Sequence, residues 1–154
     1  MIAYFGELAE PNLLLCWLDY KHKIFIPLQV HNEIQKNQDT FSSCKKHLGK
    51  EIELLDEISA KSVDEFRAQY PYLGDGEISV ILCGISKKSD KSCFCILDDG
   101  RARKVAKRIG INFTGTFGML KKLVEKNKLT KEKFDSLLEK AVKAGFRIDV
   151  ILFK

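Results

Sequence analysis

Apolar residues along the chain fall into two patterns, short segments and helical stripes. Short apolar segments occur at 24–26 and 93–97, and the Ile-Asn-Phe run starts another short segment at 111–114. They are typical of strands, and the uninterrupted run at 93–97 is typical of a strand buried on both faces. Because such segments alternate with helical stripes, the sequence predicts an α/β fold with three layers, α/β/α, and a central, mainly parallel sheet.

Helical stripes cover most of the remaining chain. One opens at Val30 with Glu33 in its first turn, and another joins Ile52, Leu55 and Ile58 at helical spacing. Further helices are predicted after Pro11, after a capping-box pattern at 62–65, over 78–85 and 101–109, after Thr116 and after Thr130. Residues 35–50 are predicted to form a loop. The tail at 146–153 fits either a strand or a docked segment.

Length and composition predict one soluble domain over residues 1–154. The chain contains no stretch of about 18 apolar residues, which a membrane span would need. Its first residues lack the basic and apolar regions of a signal peptide. The five cysteines are odd in number and form no C-x-x-C pair, so we expect reduced thiols, no zinc site and a cytoplasmic location.

Positive charge is concentrated in one third of the chain. Between residues 101 and 133 there are eleven lysines and arginines and two glutamates, a net charge of +9, whereas the rest of the chain carries −4. An excess of this size suggests a polyanionic partner, and the alternative is the solvated faces of two surface helices.

Two adjacent carboxylates mark the place where the central strand is predicted to end. Asp98 and Asp99 follow the run at 93–97 and precede Gly100 and the helix at 101–109. In open α/β sheets, ligands bind beyond the carboxyl ends of the strands. Asp98 can equally be a helix N-cap, and the pattern alone leaves both interpretations open.

Glu33 and Glu77 are also predicted to lie near helix starts, where an anion gains roughly 0.3–1 kcal/mol. Each acid therefore has a structural reason for its position. If the acids converge, two carboxylates ~4 Å apart repel by about 4 kcal/mol at an effective dielectric near 20, and a bound cation would relieve this. Oxygen ligands without histidine or cysteine suit Mg²⁺ or Mn²⁺. A divalent metal of this kind beside a basic surface suits the hydrolysis of phosphodiester bonds.

Two stretches resemble a known family. Residues 73–120 read LGDGEISVILCGISKKSDKSCFCILDDGRARKVAKRIGINFTGTFGML, and residues 24–34 read IFIPLQVHNEI. The LGxGE motif, the strand that ends in DD with R-A-R close behind it, and the G-I-x-x-T-G-T-x-G-x-L run resemble PIN-domain proteins. The resemblance covers about residues 24–146 and is closest to the small prokaryotic branch of VapC-like toxins.

The resemblance implies a metal-dependent ribonuclease with Mg²⁺ or Mn²⁺ held by acids at the carboxyl edge of the sheet. Carried over, Glu33, Glu77 and Asp99 are the catalytic acids, and Asp98 joins them as a metal ligand. The implied partners are RNA, a second copy of the chain in a homodimer and a small antitoxin protein. The implied nucleic-acid contacts are Arg101, Arg103, Lys104, Lys107, Arg108, Thr114 and Thr116.

One departure from the family pattern keeps other functions open. The family's first acid, an Asp at the end of an N-terminal strand, has no counterpart, so either the gene starts further upstream or the strand is lost. The alternative function is a catalytically impaired module that binds RNA or a protein. A response-regulator receiver also contains an Asp pair, but near its N-terminus, whereas only 55 residues follow Asp99 here.

Overall fold

The computed structural model describes Leu13, Ser42 and residues 24–36 and 52–145. The predictions for the helix after Pro11, for most of the loop at 35–50 and for the tail at 146–153 lie outside these residues. The described part contains, in chain order, β1 (Ile24–Pro27), α1 (Leu28–Gln35), β2 (Ile52–Leu55), α2 (Ala60–Gln69), α3 (Asp75–Ser86), β3 (Cys95–Ile96), α4 (Gly100–Ile109), β4 (Phe113–Thr114), α5 (Thr116–Glu125) and α6 (Lys131–Lys143).

The strands form two parallel pairs. Strand β1 pairs with β2, with Ile24 opposite Ile52, and β3 pairs with β4, with Cys95 opposite Phe113. The predicted parallel pairing is therefore confirmed. Within the described residues the four strands form two separate two-stranded sheets.

Helices cover both faces of this strand layer. On one face, Ile24 and Ile26 of β1 and Ile96 of β3 pack in a single apolar cluster, to which α5 and α6 contribute Leu120 and Leu137. Because β1 and β3 share this cluster, the two strand pairs belong to one layer. A second cluster joins Cys95 and Leu97 to residues of α2, α3 and α4, namely Val63, Phe66, Ile78, Ile81, Ala102, Val105 and Ala106. The predicted α/β class with helices on both sides is confirmed.

Local signals set the limits of several helices as predicted. Helix α4 buries the stripe of Ala102, Val105 and Ala106 and ends at Gly110, which has a φ of 77°. Helix α6 begins after Thr130, whose hydroxyl accepts a hydrogen bond from the Lys133 amide at 3.2 Å. None of the described helices is long and apolar enough to cross a bilayer.

Four local predictions differ from the structure. The segment from Ile52, predicted as a helical stripe, is strand β2, because a run of four residues is too short for its periodicity to decide and pairing with β1 determines the outcome. Helix α2 is capped by Ser59, whose hydroxyl accepts from the Ser62 amide at 3.1 Å, so it starts before the predicted capping box. Glu33 is the sixth residue of α1, beyond its first turn. The predicted strands at 93–97 and 111–114 are hydrogen-bonded as a ladder only at 95–96 and 113–114.

Helix α3 approaches β3 at Gly84. A β-carbon built on Gly84 would lie 2.5 Å from Cys95 Sγ and 2.9 Å from Ile111 Cδ1, and both neighbours are buried. The absence of a side chain at this position therefore sets the distance between helix and strand.

We expect Gly84→Ala to lower the free energy of unfolding by about 1–3 kcal/mol, the usual cost of overpacking a core. Gly100→Ala is the matched control, since a β-carbon there meets nothing within 4 Å. This substitution should raise the free energy of unfolding by about 0.4–1 kcal/mol, because alanine lowers the conformational entropy of the unfolded chain. Urea unfolding of both variants measures the difference, and equal stability of the two would contradict the close packing.

Candidate metal site and basic surface

A cavity of about 530 Å³ lies between β1, β3 and α3. Its wall includes all four acids proposed from the sequence, namely Glu33, Glu77, Asp98 and Asp99. Glu33 lies in the helix that follows β1, and the aspartates come directly after the β3 segment. The acids therefore gather where the carboxyl ends of parallel strands open, the usual ligand-binding edge of such a sheet.

Glu33 reaches α3 because residue 76 is a glycine. A β-carbon on Gly76 would lie 2.7 Å from Glu33 Oε2 and 3.0 Å from Oε1. Helix α1 packs along α3, and the buried Gly76 allows the carboxylate to contact the first turn of α3. This contact places Glu33 beside the residue that precedes Glu77.

Glu77 has a structural contact of its own. Its Oε2 atom accepts a hydrogen bond from the Gly74 amide at 2.6 Å, which is the glutamate half of a capping box at the start of α3. In the described part of the chain, no hydrogen bond falls on Glu77 Oε1. One oxygen of Glu77 is therefore committed to the helix end, and the other can bind a ligand.

Asp99, and not Asp98, is the N-cap of α4. Its Oδ1 atom accepts from the amides of Arg101 at 2.7 Å and Ala102 at 2.8 Å. The interpretation of Asp98 as the helix cap is therefore wrong, because the helix begins one residue later than that interpretation needs. No described hydrogen bond falls on Asp99 Oδ2, so this oxygen can also bind a ligand.

Asp98 holds the start of α5. The Thr116 amide donates to Asp98 Oδ1 at 2.7 Å, and the Thr116 hydroxyl donates to Oδ2 at 2.6 Å. Desolvation alone would raise the pKa of Asp98, but the positive charge of the chain's N-terminal amine and the hydrogen bonds from Thr116 favour the carboxylate, and the pKa lies below its ordinary value. Asp98 therefore joins the end of β3 to α5 as a carboxylate.

The four acids match the ligand chemistry of Mg²⁺ or Mn²⁺, which prefer carboxylate oxygens. All four line one cavity. Among the residues that the structure describes, however, no three His, Cys, Asp or Glu side chains are close enough together to hold an ion. The site therefore has the donors for a divalent metal in a more open arrangement than a bound ion requires.

The predicted nucleic-acid residues take different positions around this site. Arg101, Lys104 and Lys107 are exposed on α4. Arg103 Nη1 and Asp98 Oδ1 each lie 3.3 Å from the position that a β-carbon on Gly115 would take, so this guanidinium adjoins the acids. Arg108 stacks over the Tyr70 ring, with its Cζ 5.1 Å from the ring centroid.

The two predicted hydroxyls also differ. Thr116 is 2% exposed and donates to Asp98, so its hydroxyl is not directed to solvent as a nucleic-acid contact requires. Thr114 is half-buried, and its hydroxyl lies 3.4 Å from the Gly115 carbonyl oxygen. The sequence prediction of a direct role therefore fits Thr114 better than Thr116.

Arg67 is a supporting residue that the sequence analysis did not identify. Its guanidinium bonds Asp75 Oδ1 and Asp64 Oδ1, each at 2.6 Å. It thereby ties α2 to the first turn of α3, next to Glu77. The i,i+3 spacing of Asp64 and Arg67 predicts their pairing, but only the fold brings Asp75 to them.

Comparison with known proteins gives one match. A family model described as a PIN domain matches residues 5–154. Neither the curated proteins nor the solved structures give a match to the chain.

We expect Thr116→Val to raise the pKa of Asp98, because the carboxylate loses the hydrogen bond to the hydroxyl. A depressed carboxyl pKa adds stability above the unfolded-state pKa, and this contribution disappears as pH falls through the folded-state pKa. The variant should therefore be less stable by about 1 kcal/mol at neutral pH and close to wild type in acid. Thr114→Val is the control, and NMR titration of Asp98 measures the pKa. An unchanged pKa in Thr116→Val would contradict the role of the hydroxyl.

Proposed function

The chain belongs to the PIN-domain family, a nuclease-type fold, and from this premise we propose that it is a metal-dependent ribonuclease that hydrolyses RNA phosphodiester bonds. The observation that supports the proposal best is the shared cavity wall of Glu33, Glu77, Asp98 and Asp99 at the carboxyl ends of parallel strands. Four carboxylates on one wall favour a cation there.

In this proposal, Glu33, Glu77 and Asp99 hold Mg²⁺ or Mn²⁺ through the oxygens that make no described hydrogen bond. The metal, when bound, supplies polarisation of water and stabilisation of the negative charge at phosphorus. Asp99 is oriented by its cap on α4, and Glu77 by its bond to the Gly74 amide. Asp98 is the least available of the four candidate ligands, because both of its oxygens already accept from Thr116.

Helix α4 supplies the surface for RNA. It starts at the acidic site and carries Arg101, Lys104 and Lys107 on its exposed side. These cations would bind successive phosphates and direct the strand to the acids, with little dependence on base sequence. Arg103, whose Nη1 lies close to Asp98 Oδ1 around Gly115, would contact the phosphate at the cleavage position. A homodimer and a small antitoxin remain part of the proposal as partners.

The competing proposal is a module that binds RNA or a protein without cleaving RNA. It is favoured by the absence, among the described residues, of three ligands at ion-holding distance. Glu77 and Asp99 also have structural roles that need no metal, because each accepts hydrogen bonds from backbone amides at a helix start. The two functions differ in whether Mn²⁺ binds at these acids.

Asp99→Asn separates the two proposals, because asparagine caps a helix as well as aspartate but provides no carboxylate. If Asp99 is a metal ligand, the variant should keep wild-type stability without metal, lose RNA cleavage and lose the rise in melting temperature that Mn²⁺ gives the wild type. Melts of both proteins with and without Mn²⁺ measure this. An identical Mn²⁺ shift in both would remove Asp99 from the site, and no shift in either would favour the non-catalytic module.

Lys104→Ala together with Lys107→Ala should flatten the salt dependence of RNA binding. If each lysine neutralises one phosphate of a single strand, the slope of log K against log salt should fall by about 1.4 in magnitude. Lys140→Ala with Lys143→Ala, in the last turn of α6, is the matched control of equal charge change. Equal slopes for the two double variants would mean that α4 is only a solvated surface.

A further inference from the structure

A row of aromatic rings runs from the core to the surface at the end of α2. The ring centroids of Phe66 and Tyr70 are 4.7 Å apart, and Tyr70 meets Tyr72 edge to face at 6.3 Å. Phe66 is buried, Tyr70 is half-buried and Tyr72 is 49% exposed. Among the residues that the structure describes, Tyr72 is the most exposed aromatic side chain. The row therefore ends in a ring that a ligand can reach.

The turn that carries Tyr72 has a fixed backbone. The Leu73 amide donates to the Tyr70 carbonyl oxygen at 3.1 Å, and the Leu73 side chain is 5% exposed. Pro71 lies between the two tyrosines and restricts the backbone further. A ring held on such a turn loses little conformational freedom when a ligand packs against it. The turn thus presents the Tyr72 ring in a preorganised position.

Helix α4 carries its basic residues on two flanks of its outer side. At about 100° per residue, Arg101, Lys104 and Arg108 lie within about 60° of one another. Arg103 and Lys107 lie on the other flank by the same spacing. The cations of α4 can therefore guide a ligand in two directions from the start of the helix.

The contact of Arg108 shows that the first flank faces the aromatic row. Its Cζ lies 5.1 Å from the centroid of the Tyr70 ring. Arg101 and Lys104 precede it on the same flank, next to the N-cap Asp99. At 1.5 Å per residue, the nine residues from Asp99 to Arg108 span about 14 Å of the helix axis. This flank therefore leads from the acidic site to the exposed tyrosine.

A line of cations that ends at an exposed aromatic ring fits the chemistry of single-stranded nucleic acid. The cations neutralise phosphates, and a base stacks on the ring. The bases of a duplex are stacked on their neighbours, so only an unpaired nucleotide can offer its face to Tyr72. Asp75, three residues after Tyr72, is paired with Arg67 at 2.6 Å, which reduces its repulsion of a phosphate.

We propose that Tyr72 stacks on an unpaired base of single-stranded RNA. The phosphates of this strand follow Arg101, Lys104 and Arg108 from the acidic site, and Tyr70 supports the stacked pair from behind. The inference rests on the proposed function for its RNA ligand, but it does not require cleavage. The base that Tyr72 selects lies outside the cleavage position, at the far end of α4.

Binding in the presence of a chelator tests the stacking without cleavage. The probes are an oligoadenylate of about 12 nucleotides and an abasic ribose-phosphate chain of the same length and charge. Wild type should bind the oligoadenylate about fivefold to a hundredfold more tightly, because only this probe has bases to stack. Tyr72→Ala should lose most of this preference, and Tyr72→Phe should keep it.

The control variant is Val142→Ala, at an exposed position of α6, which should keep the preference of the wild type. Circular dichroism melts establish that the variants are folded. A wild-type preference for bases in folded Tyr72→Ala would overturn the proposal.

The salt dependence of binding tests the path along α4. Arg108→Ala should lower the slope of log K against log salt by about 0.7 in magnitude, because one phosphate contact is lost. Tyr72→Ala should leave the slope unchanged, since it removes no charge. Lys140→Ala in the last turn of α6 is the matched control for charge. An unchanged slope in Arg108→Ala would overturn the path.

NMR observes the stacking directly. The ring protons of Tyr72 should shift upfield when oligoadenylate is added, because a stacked base shields them, whereas those of the buried Phe134 are the internal reference. No shift at Tyr72 with bound RNA would overturn the stacking site. In that case salt-dependent binding would still support the proposed function, whereas no binding of RNA by wild type would overturn both.

Discussion

Close packing along α3 is the constraint on which the arrangement of the site depends. This helix contacts β1, β3, α1, α2 and α4. Gly84 brings it against Cys95 of β3, and Gly76 lets the Glu33 carboxylate reach its first turn. A side chain at either glycine would push apart elements that carry two of the four acids. The geometry of the acidic edge is therefore set by backbone approach as much as by the acids themselves.

The acids at this edge combine structural and chemical roles. Asp99 caps α4, Glu77 caps α3, and Asp98 ties β3 to α5 through Thr116. Such contacts fix the carboxylates at the ends of their elements. In Glu77 and Asp99, only one of the two carboxylate oxygens accepts these hydrogen bonds. Arrangements of this kind hold like charges near one another without a metal, because amide donors offset part of their repulsion. The same arrangement leaves oxygens that a cation can recruit.

Local patterns predicted the α/β class, the stripe of α4 and the Thr130 cap, because each depends on residues close in sequence. The four acids were proposed from their places near helix starts and from the family resemblance, and only the fold brings residues so far apart in sequence to one cavity. The misassignment of Ile52–Leu55 has a different origin, since its pairing partner β1 lies more than twenty residues earlier. The cap of α4 differed by one residue, because Asp98 and Asp99 cap equally well and only the contact with Thr116 distinguishes them.

The central claim is that Glu33, Glu77 and Asp99 bind a divalent cation at the carboxyl edge of the strands. The most direct measurement is an anomalous difference map from crystals of the protein soaked in Mn²⁺. The account predicts a peak between these three carboxylates, with the side chains drawn closer together than in the metal-free protein. A map with full Mn²⁺ exposure and no peak at this edge would contradict it.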